Sequence, residues 1–154
     1  MKIYNIKEKP EYIKEVAILT HNEWGSKTNS LEEYNYKINK KIDKIKGLLE
    51  KKDYCKLILL DNDTLVGFIS IFPQDGSDRL DLTPWYATMY VKEEYRGLGY
   101  SKILNDAILD EAKRLGYKKI YLKTDLINYY EKFGANYIEE LSNGEKLYYF
   151  DLNY

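Results

Sequence analysis

Residues 89–104 constrain the fold more than any other part of this sequence. They read MYVKEEYRGLGYSKIL, which is an apolar segment of strand character, a charged turn with two glycines, and the start of an amphipathic helix. The first N–H groups of a helix lack intrahelical partners, and with the helix dipole they form a site for an anion. Gly97 and Gly99 allow a ligand to approach the bare backbone. The stretch therefore predicts a phosphate-carrying cofactor held by main-chain amides.

Two better-known glycine loops do not fit this stretch. The loop of nucleoside triphosphatases has the form G-x-x-x-x-G-K-[ST], and the dinucleotide fingerprint has the form G-x-G-x-x-G. Here Gly97-Leu98-Gly99 is followed by Tyr100-Ser101-Lys102, without a third glycine. A protein-kinase loop would require HRD and DFG elements downstream, and the sequence contains neither. The glycine pair therefore belongs to a different kind of cofactor loop.

The loop fits the pattern [QR]-x-x-G-x-[GA] after an apolar strand, as Arg96-Gly97-Leu98-Gly99-Tyr100-Ser101. This pattern resembles that of the GNAT superfamily of acetyl-CoA-dependent N-acetyltransferases, with Ser101 in place of the usual glycine or alanine. The resemblance implies that the loop amides bind the pyrophosphate of coenzyme A, and that the preceding strand splays so that its backbone can pair with the pantetheine arm. The residues expected to bind acetyl-CoA are Met89, Tyr90, Val91, Arg96, Gly97, Leu98, Gly99, Tyr100 and Ser101.

A second segment, Tyr130-Glu131-Lys132-Phe133-Gly134, resembles the Y-E-K-x-G element of the same family. In that family the tyrosine hydroxyl lies near the cofactor sulfur. A departing thiolate needs a proton or a hydrogen bond, and a phenol with an unperturbed pKa of about 10 can supply it. Tyr130 is therefore the candidate general acid, and the alternative is that it only packs in the core. Arg96 also has an alternative interpretation, as a surface ion-pair partner of Glu93 or Glu94.

The base of such a reaction is less clearly marked. An aliphatic ammonium has a pKa near 10, so a base or a chain of waters must remove a proton before the amine can attack. The candidates are Glu23 and His21 near the end of the first helix, and Asp78 and Asp81 before the central strand, with Glu23 and Asp81 preferred. The alternatives are a partly exposed helix residue for His21 and a solvated loop for the aspartates. The acidic run of Asp75, Asp78 and Asp81 is expected at the pocket mouth, where it would attract a cationic amine.

The resemblance implies transfer of an acetyl group from acetyl-CoA to a primary amine by direct attack in a ternary complex, with no metal. The acceptor is expected to be a small-molecule, antibiotic or peptide amine. The segment Asp81-Leu82-Thr83-Pro84-Trp85 resembles a bacterial subgroup of the family whose substrates are mostly undetermined. The alternative hypothesis is a non-catalytic module that binds acyl-CoA and has lost turnover.

Composition sets the class of protein. The 154 residues are 44% hydrophobic and 32% charged with a net charge of −1, which indicates one domain over residues 1–154 and argues against broad nucleic-acid binding. The absence of an apolar run of about 18 residues and of an apolar signal core predicts a cytoplasmic protein without membrane association. Cys55 is the single cysteine, so no internal disulfide is expected, and we interpret it as a buried inert thiol rather than a nucleophile.

The predicted elements are a strand, two helices, three strands, a helix, a strand, a short helix over residues 126–133, and two strands. This order resembles the arrangement of the GNAT superfamily. The resemblance implies an α/β (mixed α+β), GNAT-like fold with a mixed, mostly antiparallel twisted sheet of about six to seven strands and about four helices. Gly67 inside a strand indicates a bulge or a close backbone approach. Residues 147–150 form an apolar last strand that is expected at a sheet edge, which favours a homodimer.

Overall fold

Seven strands form one mixed sheet in the computed structural model, which describes residues 1–153. The strands are β1 (Lys2–Asn5), β2 (Cys55–Asp61), β3 (Thr64–Phe72), β4 (Trp85–Val91), β5 (Lys119–Thr124), β6 (Asn136–Glu140) and β7 (Lys146–Asp151). They lie in the order β1-β2-β3-β4-β5-β7-β6, and every neighbouring pair is antiparallel except β4 and β5.

Three α-helices cover the two faces of this sheet in the described part of the chain. They are α1 (Ile13–Trp24), α2 (Leu31–Leu48) and α3 (Tyr100–Arg114), and short 3-10 helices occupy Ile6–Glu8, Pro10–Tyr12, Glu93–Tyr95 and Tyr130–Phe133. Within residues 1–153, no helix is both long enough and apolar enough to cross a membrane.

The start of α2 follows from a cap that the sequence already indicates. The Ser30 hydroxyl accepts a hydrogen bond from the Glu33 N–H at 3.0 Å, so one N–H of the first turn is satisfied. The Glu33 carboxylate accepts from the N–H of Asn29 rather than from that of Ser30. The segment Ser30-Leu31-Glu32-Glu33 has the S-x-x-E form of a capping box, and the box is present in a shifted form, in which the carboxylate reaches one residue further back.

The hydrophobic pattern of the strands produces a core on each side of the sheet. One side packs against α3 through Leu104, Ile108 and Ala112, and the other packs against α1 and α2. Strands β2 and β3 are buried on both faces because both faces are covered, which explains their nearly continuous apolar sequence. Ile103, although apolar and next to Leu104 in α3, is 41% exposed.

Gly67 marks a bulge and a close backbone approach, as predicted. In the β2–β3 pair Leu59 lies opposite Gly67 and Leu60 opposite Leu65, so β3 carries one extra residue at this point. A Cβ atom added at Gly67 would stand 2.4 Å from the carbonyl oxygen of Tyr90 in β4. The glycine therefore permits β3 and β4 to lie together at the end of β4.

A second irregularity lies in β4 itself. Phe68 pairs with Tyr90 and Ser70 pairs with Ala87, so two steps along β3 correspond to three steps along β4. Thr88, within this bulge, has a φ of 51°, in the left-handed region that β-branched residues rarely adopt. The bulge lies immediately before Met89, Tyr90 and Val91, and it changes the direction in which they face.

The predicted fourth helix, over residues 126–133, was wrong in its first half. The N–H of Leu126 donates to Thr124 Oγ1, and the N–H of Asn128, whose φ is 58°, donates to the Glu131 carboxylate. These local side-chain acceptors take the place of helical hydrogen bonds, so only the 3-10 helix Tyr130–Phe133 remains.

The predicted edge position of the last strand was also wrong. Strand β7 lies between β5 and β6, with Leu147, Tyr148 and Phe150 buried, and β6 is the edge strand. The terminal hairpin folds back so that its second strand enters the sheet beside β5. The expectation of a homodimer through residues 147–150 therefore loses its basis.

Cys55 is buried at the start of β2, with 4% of its surface exposed. Burial raises the pKa of its thiol to about 12, so the thiol stays protonated at neutral pH. This agrees with an inert thiol rather than a nucleophile.

The crowding at Gly67 predicts a clear change in stability. We expect Gly67→Ala to lower the free energy of unfolding by about 1–3 kcal/mol, because its Cβ would overlap the Tyr90 carbonyl oxygen. Gly47→Ala in α2 is the matched control: apart from its chain neighbours and the adjacent backbone of its own helix, no atom of the described residues lies within 4 Å of the added Cβ, and we expect the change to be neutral or to stabilise by up to about 1 kcal/mol. Urea unfolding of both variants measures the difference, and equal stabilities would contradict the close approach.

Candidate active site

The loop between β4 and α3 leaves several backbone N–H groups without acceptors. Gly97 and Gly99 have φ values of 76° and 87°, and Gly99 caps α3 without any side-chain hydrogen bond. No acidic residue lies in the first turn of α3. Within residues 1–153, no hydrogen bond uses the N–H groups of Gly97, Leu98 or Gly99. The loop therefore presents main-chain donors and the positive end of a helix dipole to one region of space.

Arg96 anchors this loop to the end of β4. Its Nε donates to the carbonyl oxygen of Val91 at 2.8 Å, and its guanidinium lies 5.5 Å from the centre of the Tyr90 ring. The alternative ion pair with Glu93 or Glu94 is not among the contacts of the described residues. The side chain of Arg96 thus shapes the loop, and the amides remain its main donors.

A cleft of about 700 Å³ opens beside the loop, and we call it the loop cleft. It is lined by all but one of the residues predicted to bind the cofactor: Met89, Tyr90, Val91, Arg96, Gly97, Gly99, Tyr100 and Ser101. The exception is Leu98, whose side chain is 64% exposed and does not line the cleft.

Sequence reasoning missed several residues of the loop cleft. They are Tyr95, Lys102, Leu126, Tyr129, Lys132 and Phe133. Lys102 lies in the first turn of α3, directly after the predicted loop, and Lys132 lies within the quoted Y-E-K-x-G element. Both positions could have been found by asking which cations accompany the loop amides, because a pyrophosphate attracts them. The cleft combines Arg96, Lys102 and Lys132 with a single lining carboxylate, Glu23.

The backbone of β4 is unpaired along the cleft. The parallel pair of β4 and β5 is registered at Trp85 and Tyr121, near the start of β4, and the two strands diverge beyond it. Residues 87–91 therefore keep the edge that faces β5 free, while Ala87, Tyr90 and Val91 pair with β3 on the other edge. This is the divergence that the family resemblance implies for a pantetheine arm.

A second cavity, of about 550 Å³, adjoins the first, and we call it the acidic cavity. The two share Glu23, Met89, Leu126 and Tyr130. The acidic cavity is lined by the carboxylates of Glu23, Asp75, Asp125 and Glu145 and by one cation, Lys123. Lys123 Nζ donates to the backbone carbonyl oxygen of Asp75 at 2.6 Å and leaves the Asp75 carboxylate unbridged.

Tyr130 lies at the junction of the two cavities. Its ring packs edge-on against Tyr86 at 5.7 Å and against Tyr129 at 4.8 Å. Burial, and secondarily the neighbouring Tyr129, raises the pKa of Tyr130 to about 12. The phenol therefore stays protonated at neutral pH and can donate a hydrogen bond into the junction. It packs against the core and lines both cavities, so the core interpretation does not exclude the functional one.

Of the four candidate bases, the structure brings only Glu23 to the cavities. Asp81 forms two hydrogen bonds of 3.0 Å with Arg79, which also contacts Glu139, and the bonds from Arg79 hold the pKa of Asp81 below its usual range. Neither Asp78 nor Asp81 lines a cavity. This geometry gives no support to the predicted role of Asp81 as a base.

His21 also lies outside both cavities. It is 7% exposed, and its ring packs edge-on against Tyr34 at 5.3 Å. The expectation of a partly exposed helix residue was therefore wrong, because α2 covers this side of α1. His21 is a buried residue of the interface between the two helices.

Asp75 is a candidate base that sequence reasoning named only as part of an acidic run. It is half-buried in the wall of the acidic cavity. Burial raises its pKa, the nearby Glu145 raises it further, and Lys123 opposes the shift. A carboxylate with a raised pKa is a stronger proton acceptor, which suits the removal of a proton from an ammonium group.

Comparisons with known proteins agree with this geometry. A family model described as the acetyltransferase (GNAT) family matches residues 16–135. N-alpha-acetyltransferase 30 of Schizosaccharomyces pombe is 34% identical over 82 residues, a segment that spans 50% of this chain and 54% of that protein. The chain thus spans about half the length of this curated relative.

Solved structures show the fold over nearly the full chain. An aminoglycoside 6'-N-acetyltransferase complexed with coenzyme A is 17% identical with a TM-score of 0.76, covering 100% of this chain and 98% of that one. An N-acetyltransferase from Staphylococcus aureus Mu50 is 21% identical with a TM-score of 0.73, covering 99% and 98%. The predicted fold class is confirmed, with seven strands and with three α-helices plus 3-10 turns where about four helices were expected.

The free loop amides predict a specific binding defect. We expect Gly99→Ala to weaken coenzyme A binding about tenfold or more, because alanine disfavours the φ of 87° that orients the loop N–H groups. Gly116→Ala is the matched control, since Gly116 has a φ of 92° and equally open space but lies beyond the other end of α3. Isothermal titration calorimetry should show a weaker Kd for the first variant alone. Equal affinity of Gly99→Ala and the parent would contradict the loop as the pyrophosphate site.

Proposed function

The chain belongs to the acetyltransferase (GNAT) family, and we propose that it transfers the acetyl group of acetyl-CoA to a cationic primary amine bound in the acidic cavity. One observation carries this proposal: a cleft rich in main-chain donors and cations meets a carboxylate-lined cavity at Tyr130. An anionic cofactor and a cationic acceptor would each find the opposite charge, and their reacting ends would meet at the junction.

The residues of the loop cleft fit coenzyme A. The free N–H groups of Gly97, Leu98 and Gly99 and the first turn of α3 would hold the pyrophosphate. Lys102 and Lys132 add positive charge, although Lys102 is partly neutralised by an ion pair with Asp106 at 2.7 Å. The free edge of β4 offers the backbone groups that an amide-containing pantetheine arm needs.

The acidic cavity fits an ammonium group. Its carboxylates attract the charged form of the acceptor, and one of them must then remove a proton to produce the neutral nucleophile. We assign this step to Asp75 or to Glu23, which line the cavity and form no ion pair among the described residues. Asp75 has the raised pKa that favours proton uptake, and Glu23 reaches both cavities.

The chemical step is a direct attack within a ternary complex. The amine nitrogen attacks the thioester carbonyl, the C–S bond breaks, and coenzyme A leaves as a thiolate. A thiol has a pKa of about 8.5, and burial raises the pKa of Tyr130 to about 12, so full proton transfer from the phenol to the thiolate is unfavourable. Tyr130 therefore acts as a hydrogen-bond donor to the sulfur. The proton that completes the thiol comes from the attacking amine.

Tyr130 provides the main test of this proposal. We expect Tyr130→Phe to lower kcat for thiol release from acetyl-CoA by about 10- to 100-fold, the range for losing a charge-stabilising hydrogen bond or proton donor. Tyr129→Phe is the matched control, because Tyr129 lines the same cleft but not the junction, and it should keep most of the activity. The assay uses a panel of small diamines, aminoglycosides and peptides with free amino termini.

The same assay separates catalysis from binding. Acetyl-CoA binding without thiol release for any amine, in the parent as in Tyr130→Phe, would support the non-catalytic acyl-CoA-binding module instead. Thiol release that is equal in the parent and in Tyr130→Phe would retain the transferase and remove the role of Tyr130.

The carboxylates of the acidic cavity predict how the acceptor is recognised. We expect Asp75→Asn and Glu145→Gln to raise KM for a cationic amine several-fold, and added salt to reduce the difference, because partly exposed charges are screened. Asp78→Asn is the matched control, since Asp78 belongs to the same loop but lines neither cavity. Steady-state kinetics measure the effect. An equal rise in KM for all three variants would argue against a specific acidic cavity.

A further inference from the structure

Lys56 is a buried lysine without a counter-charge. Only 3% of its surface is exposed, and within residues 1–153 no carboxylate forms an ion pair with it. Its Nζ lies 5.1 Å from the centre of the Phe68 ring and 5.8 Å from that of Phe72. The charged groups that face it are Lys41 and Lys44 of α2, and the Cys55 thiol lies on its own strand. This position is unfavourable for an ammonium group and calls for an explanation other than stability.

Lys56 contacts the bulge of β4 through a hydroxyl. Its Nζ donates to Thr88 Oγ1 at 3.4 Å, and Thr88 Oγ1 lies 2.8 Å from Ser70 Oγ, which is fully buried. These three side chains come from β2, β3 and β4, which are neighbours in the sheet. The polar cluster therefore joins three strands at the point where β4 changes register.

Thr88 needs such support because of its backbone. A β-branched residue with a φ of 51° persists only where its surroundings hold it in place. The bulge at Thr88 precedes the unpaired edge of β4 that lines the loop cleft, and Thr88 itself lines the acidic cavity. A change in the bulge would therefore move the backbone against which acetyl donor and acceptor are aligned.

We propose that Lys56 is a positioning residue for acetyl transfer: acting through the Thr88 hydroxyl, it holds the β4 bulge in the shape that aligns donor and acceptor. This inference rests on the proposed function. Two aromatic faces and one hydroxyl give the ammonium group a fixed orientation while leaving its burial uncompensated. Burial of Lys56 then lowers the stability of the fold, and in return the β4 backbone is held in one conformation at the site of reaction.

Lys56→Met separates this role from a structural one. Methionine fills the same apolar space without a charge, so we expect a higher melting temperature than that of the parent at pH 6. We also expect kcat to fall by about 10- to 100-fold, the range for misaligned reacting groups, with the Kd for coenzyme A unchanged. Lys14→Met, on the exposed face of α1, is the control and should change none of these three quantities.

The charge of Lys56 has its own readout in the same variants. Burial lowers the pKa of Lys56 to about 7 in the folded chain, against about 10.4 in the unfolded chain. The folded state then binds fewer protons between these values, so the stability of the parent rises relative to Lys56→Met as pH increases from about 7 to about 10. We expect the difference in melting temperature to narrow over this range.

Thr88 completes the test. We expect Thr88→Val to lose kcat to a similar extent as Lys56→Met, the double variant to lose no more than either, and Thr88→Ser to retain activity. The inference is overturned if Lys56→Met keeps the kcat of an active parent, if the two losses multiply, or if Lys56→Met is less stable than the parent at pH 6. An inactive parent would refute the proposed function, and this inference with it.

Discussion

The divergence of β4 from β5 is the constraint on which the rest of this structure depends. Two parallel strands that are hydrogen-bonded only near Trp85 cannot close the sheet at their far ends, so backbone groups remain free there. The bulge at Thr88 and the glycine at position 67 both serve this geometry, one by turning β4 and the other by letting β3 follow it closely. The glycine loop and the start of α3 follow the end of β4, and in the described part of the chain their backbone N–H groups are also unpaired.

Charge divides the opening into two halves. The loop cleft is lined by Arg96, Lys102 and Lys132, whereas the acidic cavity is lined by four carboxylates and Lys123. Under the proposed function, each half would repel the substrate that binds in the other, which would favour one orientation of the two substrates. Tyr130 lies between the halves with a protonated phenol, which is neutral and compatible with both. The site is therefore organised by electrostatic contrast as much as by shape.

The local elements were largely predictable from the sequence, because alternating patterns, a Ser30 cap and the glycine pair act over short distances. The two misses have different causes, one long-range and one local. The position of β7 inside the sheet depends on how a hairpin folds back against β5, and residues 126–129 follow side-chain acceptors at Thr124 and Glu131 rather than their apolar spacing. The candidate cofactor loop could be predicted because its main-chain donors are contiguous in sequence, and eight of its nine predicted residues line one cleft. The carboxylates of the acidic cavity come from four separate segments, and no spacing in the chain joins Asp75 to Glu145.

The buried Cys55 thiol can report on the opening of the folded state. The Cys55 side chain is almost fully buried at the start of β2 and its thiol stays protonated, so a maleimide or disulfide dye would react slowly with the native molecule. No other cysteine is present in the sequence, so each labelled molecule reports one opening of the sheet at this strand. The rate of labelling at Cys55 therefore measures how often this part of the sheet opens, without any engineered cysteine.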